Sequence, residues 1–309
     1  MNKILLLLAA FLLSTPASYG QKKRKKRKPK NTITAPSSQK SKLKSIASIT
    51  KNCVKHDGFL TIYTDTTTGK AYLEIEEGML NQQMIYFTYA ENGLVNLGLF
   101  RGSYRETSVV KFEKVYNNIH VKKIKTGLYF NPDNNLSKTS KVNISDAIAS
   151  SEQILGKTKN RYLINATNLL GTETLHQLAR NIPRGFPFPF KTGRINSKKT
   201  FVKNVRNYPE NTDVIYSYTF DNGSSYKNDG TVADPRYITV EVQHSFVQMP
   251  DSNFVPRKDD PRVGYFTSSG SDMTTTKSLN YRDFINHWRL EKKDPSATLS
   301  EPVKPITWW

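Results

Sequence analysis

Between Tyr237 and Met249 the chain alternates with a period of two. Ile238, Val240, Val242, His244 and Phe246 fall on one side, and Thr239, Glu241, Gln243 and Ser245 on the other. A strand this long needs hydrogen-bond partners along both edges and a cover over its dry face, so it belongs in the middle of a sheet. That requirement constrains the fold more than any other feature, and the rest of the sequence can be read for the partners it supplies.

Partners are plentiful. Phe59–Thr64 and Lys70–Glu76 are β-rich runs around the loop Asp65-Thr-Thr-Thr-Gly69, and Met84–Ala90 is apolar on both faces. Leu94–Arg101 keeps the alternation through Val95, Leu97 and Leu99. Ser108–Tyr116 and Ile119–Lys125 read as a hairpin around Asn117-Asn118, residues that tolerate a left-handed backbone. Segment 42–126 is thus expected to be an antiparallel meander. Thr200–Arg206, Thr212–Phe220, Tyr237–Met249 and a short Val263–Phe266 form a second run of strands. Helical spacing is sparse: Ser145–Leu155, capped by Ser145 or Asp146, Thr172–Arg180 with Leu175 and Leu178, and Tyr281–Leu290, where a strand is the alternative. Leu163–Gly171 reads as loop. The fold class is mainly β, a β-rich α+β chain of antiparallel meander or sandwich-like sheets with one to three short helices.

The ends are organised differently. Lys3, the apolar run Ile4–Leu13 and the small residues up to Gly20 read as a secretory signal peptide over 1–20. The expected location is therefore the periplasm or exterior of a Gram-negative bacterium. Next comes Lys22–Lys30, eight cations in nine residues, which carries much of the formal charge of +20. A block of like charges repels itself, so 21–41 is expected to be a disordered basic tail. Its plain reading is a solvated spacer; the functional one is attraction to an anionic envelope surface, and export argues against nucleic acid as the partner. The remaining boundaries are an N-terminal antiparallel β domain at 42–130, a second β-rich domain at 140–295, and a linker over 296–309.

The chemistry of sites is thin. Cys53 is the single cysteine, which excludes an internal disulfide and cysteine-based metal clusters. It reads as an apolar filler, with a reactive thiol as the alternative. No His-Glu-x-x-His, phosphate loop or Gly-x-Ser-x-Gly elbow occurs, and no two of the five histidines stand at chelating spacing. His244, on the dry face of its strand, is expected to be a hydrogen-bonded core residue. His56 and His120 lie beside turns, where exposure is expected. Asp259-Asp260 before Pro261 should organise a turn. No catalytic, cofactor or metal residue is assigned. The candidate interface residues are Phe186, Phe188 and Phe190, whose prolines forbid a helix and suit either a lid on the core or a docking surface, together with Arg262, Tyr265, Trp308 and Trp309.

Several stretches resemble a known family along nearly the whole mature chain. They are Asp57-Gly-Phe-Leu-Thr-Ile-Tyr-Thr-Asp65, Asn96-Leu-Gly-Leu-Phe-Arg-Gly102, Pro256-Arg-Lys-Asp-Asp-Pro-Arg-Val-Gly-Tyr-Phe266 and Trp288-Arg-Leu-Glu-Lys-Lys-Asp-Pro295 with Glu301-Pro-Val-Lys-Pro-Ile306. They are similar to the N-terminal region of large exported bacterial zinc-dependent metalloproteases of metzincin-like type, in which two domains of unknown function precede the catalytic domain. The resemblance implies that Trp308 and Trp309 begin the zinc domain and that the metal ligands lie beyond this sequence. The implied function is the non-catalytic N-terminal region of such a protease, truncated before its zinc domain. Its partners would be that domain and a peptide substrate, and zinc would be a cofactor of the whole protein and not of this chain. The alternative is a free-standing exported binding module.

Overall fold

The computed structural model describes residues 43–178, 192–223, 230–250, 257–275 and 281–306. The chain opens with helix α1 (Ile46–Ile49) and strands β1 (Cys53–His56), β2 (Thr61–Asp65) and β3 (Ala71–Glu76). It continues with β4 (Gln83–Asn92), β5 (Tyr104–Val115), β6 (Asn118–Ile124) and β7 (Leu128–Tyr129). After α2 (Ser140–Asn143) come β8 (Ala147–Gln153), β9 (Gly156–Thr158), β10 (Arg161–Asn165) and α3 (Ala166–Leu170). The remainder is β11 (Arg194–Ile195), β12 (Phe201–Asn207), β13 (Asn211–Asp221), β14 (Tyr237–Gln248), β15 (Thr267–Asp272) and β16 (Tyr281–Ile285).

The alternating run is β14, and it is central: β13 pairs along one edge and β4 along the other. Its sheet runs β11-β13-β14-β4-β5-β6-β8, with β12 also on β13. A second sheet, β1-β2-β3-β10-β9, lies over its dry face, and the two contribute to one core. Leu73, Ile75, Ile62 and Ile164 of the smaller sheet join Tyr86, Val110, Phe112, Val121, Tyr218 and Phe246 of the larger one, each below 2% exposed. Every such side chain contributes on the order of 2 kcal/mol by leaving water. Segments 43–130 and 140–295 both supply strands to both sheets: β4 pairs β14, and β3 pairs β10.

The mainly β, antiparallel fold is as the periodicity requires, but several elements differ from their sequence reading. The stretch 42–126 is not one meander, because β1–β3 enter the smaller sheet and β4–β6 the larger. Ser145–Leu155 is not a helix: β8 fills the edge beside β6, Ser150 and Glu152 are buried at a spacing of two, and Asp146 pairs with Lys111 instead of capping. Strand pairing outweighs helix propensity in so short a run. Leu94–Arg101 is a 3-10 turn over Val95–Leu97, ended by Gly98 at φ 69°, a backbone glycine adopts without strain. It still buries Leu97 and Leu99.

Leu163–Gly171 is the end of β10 followed by α3, whose cap Asn165 accepts from the backbone N–H groups of Thr167 and Asn168. No helix forms over the described part of Thr172–Arg180, although Leu175 and Leu178 are buried. The strand expected at Val263–Phe266 starts later, as β15, where Ser268 and Ser269 donate across the ladder to Asn286 and Asp283. Tyr281–Ile285 takes the strand alternative, as β16 paired to β15.

Candidate functional site

On the inner face of the larger sheet, β14 places His244 opposite Val214 of β13 and Thr88 of β4. Tyr218 and Tyr86 flank it on the same face. From above, the irregular stretch after α3 lowers His176, which is 3% exposed. Four groups then form a hydrogen-bonded line. Tyr218 Oη lies 2.6 Å from His244 Nε2, Tyr86 Oη lies 3.0 Å from His244 Nδ1, and Tyr86 Oη lies 3.3 Å from His176 Nδ1.

Proton counting fixes the direction of this line. Tyr218 also bonds the carbonyl oxygen of Leu170, which can only accept, so its single O–H proton goes there. The hydroxyl must then accept from His244 Nε2–H, leaving Nδ1 to accept from Tyr86. Tyr86 in turn accepts from His176 Nδ1–H. The line ends at His176 Nε2, a buried lone pair without a partner among the described atoms. Burial, with help from the cations Lys123 and Arg105, holds His176 down to about 3, and burial followed by the neighbouring His176 holds His244 well below the ordinary imidazole range. Burial also drives Tyr86 and Tyr218 well above the usual phenol range. All four groups are neutral, so each can hold a proton in place but none is a charged acid or base. Tyr218→Phe would strand both the Leu170 carbonyl and the His244 N–H. A loss of about 2 kcal/mol is expected, read as a lower urea midpoint with unchanged slope.

A polar patch adjoins this line. Across from Thr88 and Tyr86, β5 places Glu106 and Ser108, and β6 brings Lys123, whose Nζ donates to Glu106 Oε1 at 2.9 Å. The ladder slips between Thr88–Glu106 and Tyr89–Tyr104, which makes Arg105 the extra residue of a β-bulge. Its Nη2 reaches the carbonyl oxygen of Leu178 at 2.8 Å, close behind His176. Among the described residues no group of three His, Cys, Asp or Glu side chains is placed to hold a metal. Cys53 is half-buried on β1, and burial together with the Asp65 carboxylate raises its thiol, so it stays protonated at neutral pH. A separate cavity of about 400 Å³ is lined by Glu210, Gln248, Arg289, Glu291 and Lys304, where Lys304 stands 3.5 Å from Glu210 and Arg289 stands 2.6 Å from Glu291.

The family model for a domain of unknown function (DUF5117) matches residues 102–293. The chain belongs to the DUF5117 family. A second model for a domain of unknown function (DUF5118) matches residues 43–93. No curated protein and no solved structure matches the chain. The DUF5117 stretch supplies Arg105, Glu106, Lys123, His176, Tyr218 and His244, while Tyr86 and Thr88 come from the DUF5118 stretch. The border between the two models falls between β4 and β5, which are hydrogen-bonded neighbours.

Of the interface residues read from the sequence, Phe186, Phe188, Phe190, Trp308 and Trp309 lie outside the described residues, as does Lys22–Lys30. Arg262 and Tyr265 are both exposed and stand apart from the buried line. Arg262 donates to Asp260 through Nε at 2.9 Å and Nη2 at 2.6 Å, so its charge is used within the turn that Asp260 organises. Tyr265 is 55% exposed. His244 is the hydrogen-bonded core residue its strand face implies. His56 and His120 are half-buried on β1 and β6 and not exposed beside turns. His176 was hidden from sequence reasoning because its stretch is irregular and no periodicity marks its burial. Arg105 was hidden because a one-residue ladder slip leaves no trace in composition.

Proposed function

We propose that this chain is the non-catalytic β-rich region of an exported zinc-dependent metalloprotease, a platform that packs against the zinc domain and flanks its peptide-binding cleft. One observation carries this reading. The shared core takes its last member at Phe246, and no large apolar side chain after it is buried among the described residues. Instead Phe266 is 89% exposed, Leu299 90%, Trp288 64%, Val303 58% and Leu290 54%. Described residues that keep so many apolar groups in water are suited to a protein partner. The sequence resemblance supports identifying that partner as the zinc domain.

The test has two arms. The purified chain should hold no stoichiometric zinc and show no chelator-sensitive peptide cleavage. Mixed with the zinc domain of a protein of this architecture, it should form a complex that Phe266→Asp and Trp288→Asp weaken at least tenfold, on the order of 1.4 kcal/mol. Tight zinc with cleavage by this chain alone, or a complex indifferent to both substitutions, would overturn the reading.

A further inference from the structure

We infer that the free edge of β8 takes an extended peptide as an added strand, held by the backbone of Ser151 and Gln153 and by a lysine or arginine of the peptide set against Glu152. The zinc-domain reading supplies a source for such a peptide, and the inference rests on that reading for the source alone.

β8 ends the larger sheet, with β6 as its one strand partner. The ladder fixes which way its backbone points. Ile154 N–H donates to the Asn117 carbonyl oxygen at 2.9 Å, which puts Ile154, Glu152 and Ser150 in bonding register with β6. Bonding direction alternates along an antiparallel strand, so Ser151 and Gln153 aim their N–H and C=O groups away from the sheet. Both residues are exposed, and those outward groups have no protein partner among the described residues. Such a row of unpaired backbone groups is what an extended chain needs for pairing. The other edges are guarded or occupied. β1 carries Lys55 and β12 carries Lys203 and Arg206, β9 is bonded by Lys44, and β16 holds the 257–259 segment. β8 has the sequence Ala-Ile-Ala-Ser-Ser-Glu-Gln, without a cation or a proline, and its bulge at Ala149 leaves Ser151 and Gln153 in the regular part of the ladder.

Glu152 decides between occupants. It is 9% exposed, shares the inner face with Ile119 of β6, and accepts from Ser150 Oγ at 2.6 Å. No cation forms an ion pair with it. Lys114, in the same cross-strand row, and Lys157 stand over the Tyr162 ring at 5.8 and 5.1 Å, and Arg161 is paired with Glu74. A second copy of the chain pairing antiparallel through both Ser151 and Gln153 would set Glu152 directly opposite its own counterpart, and like charges so opposed destabilise a pair. A peptide with a cation at that position reverses the sign. The position opposite Glu152 would be a non-hydrogen-bonded pair, the kind in which side chains approach closest.

The probe is acetyl-Thr-Val-Lys-Val-Thr-amide, titrated into the full chain at neutral pH while backbone amide signals are followed by NMR. The expected result is saturable binding with a dissociation constant of about 1 mM or tighter, and slowed hydrogen exchange at Ser151 and Gln153. Replacing the lysine of the probe by glutamate should weaken binding about tenfold or more, and in Glu152→Gln the two probes should bind alike. N-methylation of both valines removes the donors that meet β8 and should abolish binding. Ser151→Pro deletes an outward N–H that the β6 ladder does not use, so it should abolish binding while the thermal midpoint shows the variant folded. Equal binding by the methylated probe, no saturation up to about 10 mM, or protection of the same amides in a peptide-free dimer would overturn the assignment. No zinc domain enters this experiment, so its failure and that of the docking test are separate results.

Discussion

Below pH 6.5 the folded chain is expected to lose stability steeply, by up to about 2.7 kcal/mol per pH unit, because two buried imidazoles refuse protons that the unfolded chain accepts. The sign follows from the direction of the shifts. His176 is held down to about 3 and His244 well below the ordinary range, while both return to about 6.5 on unfolding. Between those limits the unfolded state binds more protons, so stability is complete above pH 6.5 and falls as the pH drops. By pH 4.5 the loss should reach about 5 kcal/mol, a large part of the stability of an ordinary domain. The exposed aspartates with lowered pKa values, such as Asp234 at about 2, contribute only at more acidic pH, so the window belongs to the imidazoles. His56, also lowered by burial, adds a smaller share. Urea unfolding at a series of pH values measures the slope. His176→Gln should reduce it by about 1.4 kcal/mol per pH unit, one proton's worth, and a variant slope equal to that of the parent would defeat the explanation.

How the sequence announces these features depends on the length scale at which each is determined. The centrality of β14 was legible because the period of two runs through its whole length and one face is apolar, so no other pairing buries it. The hydrogen-bonded core position of His244 followed from that same face. The helix reading of Ser145–Leu155 failed because a seven-residue strand at a sheet edge is selected by its neighbour β6, which no local pattern encodes. The late start of β15 has a similar cause. Its residues Thr-Ser-Ser-Gly-Ser-Asp lack an apolar face, and the strand is held by its ladders with β16 and with the distant β7 and by side-chain bonds to Asp283 and Asn286. The polar patch was least legible, since Arg105 enters it through a ladder slip and His176 through an irregular segment. Composition registers neither event. Charge was misleading in another way, since the densest cluster, Lys22–Lys30, stands outside the described residues, whereas the cations that bear on the buried His176 are Arg105 and Lys123, which no charge run marks.

The two matched stretches are expected to unfold together, and a single asparagine is where that coupling can be tested. Asn207, at the end of β12, donates through Nδ2 to the carbonyl oxygens of His56 at 2.9 Å and Leu60 at 2.6 Å. Its Oδ1 accepts from the fully buried hydroxyl of Thr212 at 2.5 Å, and that hydroxyl oxygen accepts from the Leu60 N–H at 2.8 Å. One amide thus ties the β1–β2 connection, in the 43–93 stretch, to the β12–β13 turn in the 102–293 stretch. Gly58 is required for the approach, since a Cβ there would stand 2.1 Å from Asn207 Oδ1. Asn207→Ala removes its bonds to the His56 and Leu60 carbonyl oxygens and the one it accepts from Thr212, whose hydroxyl keeps the Leu60 N–H and lies 3.4 Å from the Leu60 carbonyl oxygen, and a loss of about 2 kcal/mol is expected. Adding Thr212→Val should cost less than its own single effect, because both substitutions remove the same bond. If the sheets share one core, as the packing of Ile62 and Leu73 with Phe246 and Tyr218 indicates, the variant should melt in one transition at a lower urea midpoint with an unchanged slope. Two separated transitions in Asn207→Ala, with the 43–93 stretch released first, would mean that the matched stretches are independent folding units held together by this clamp.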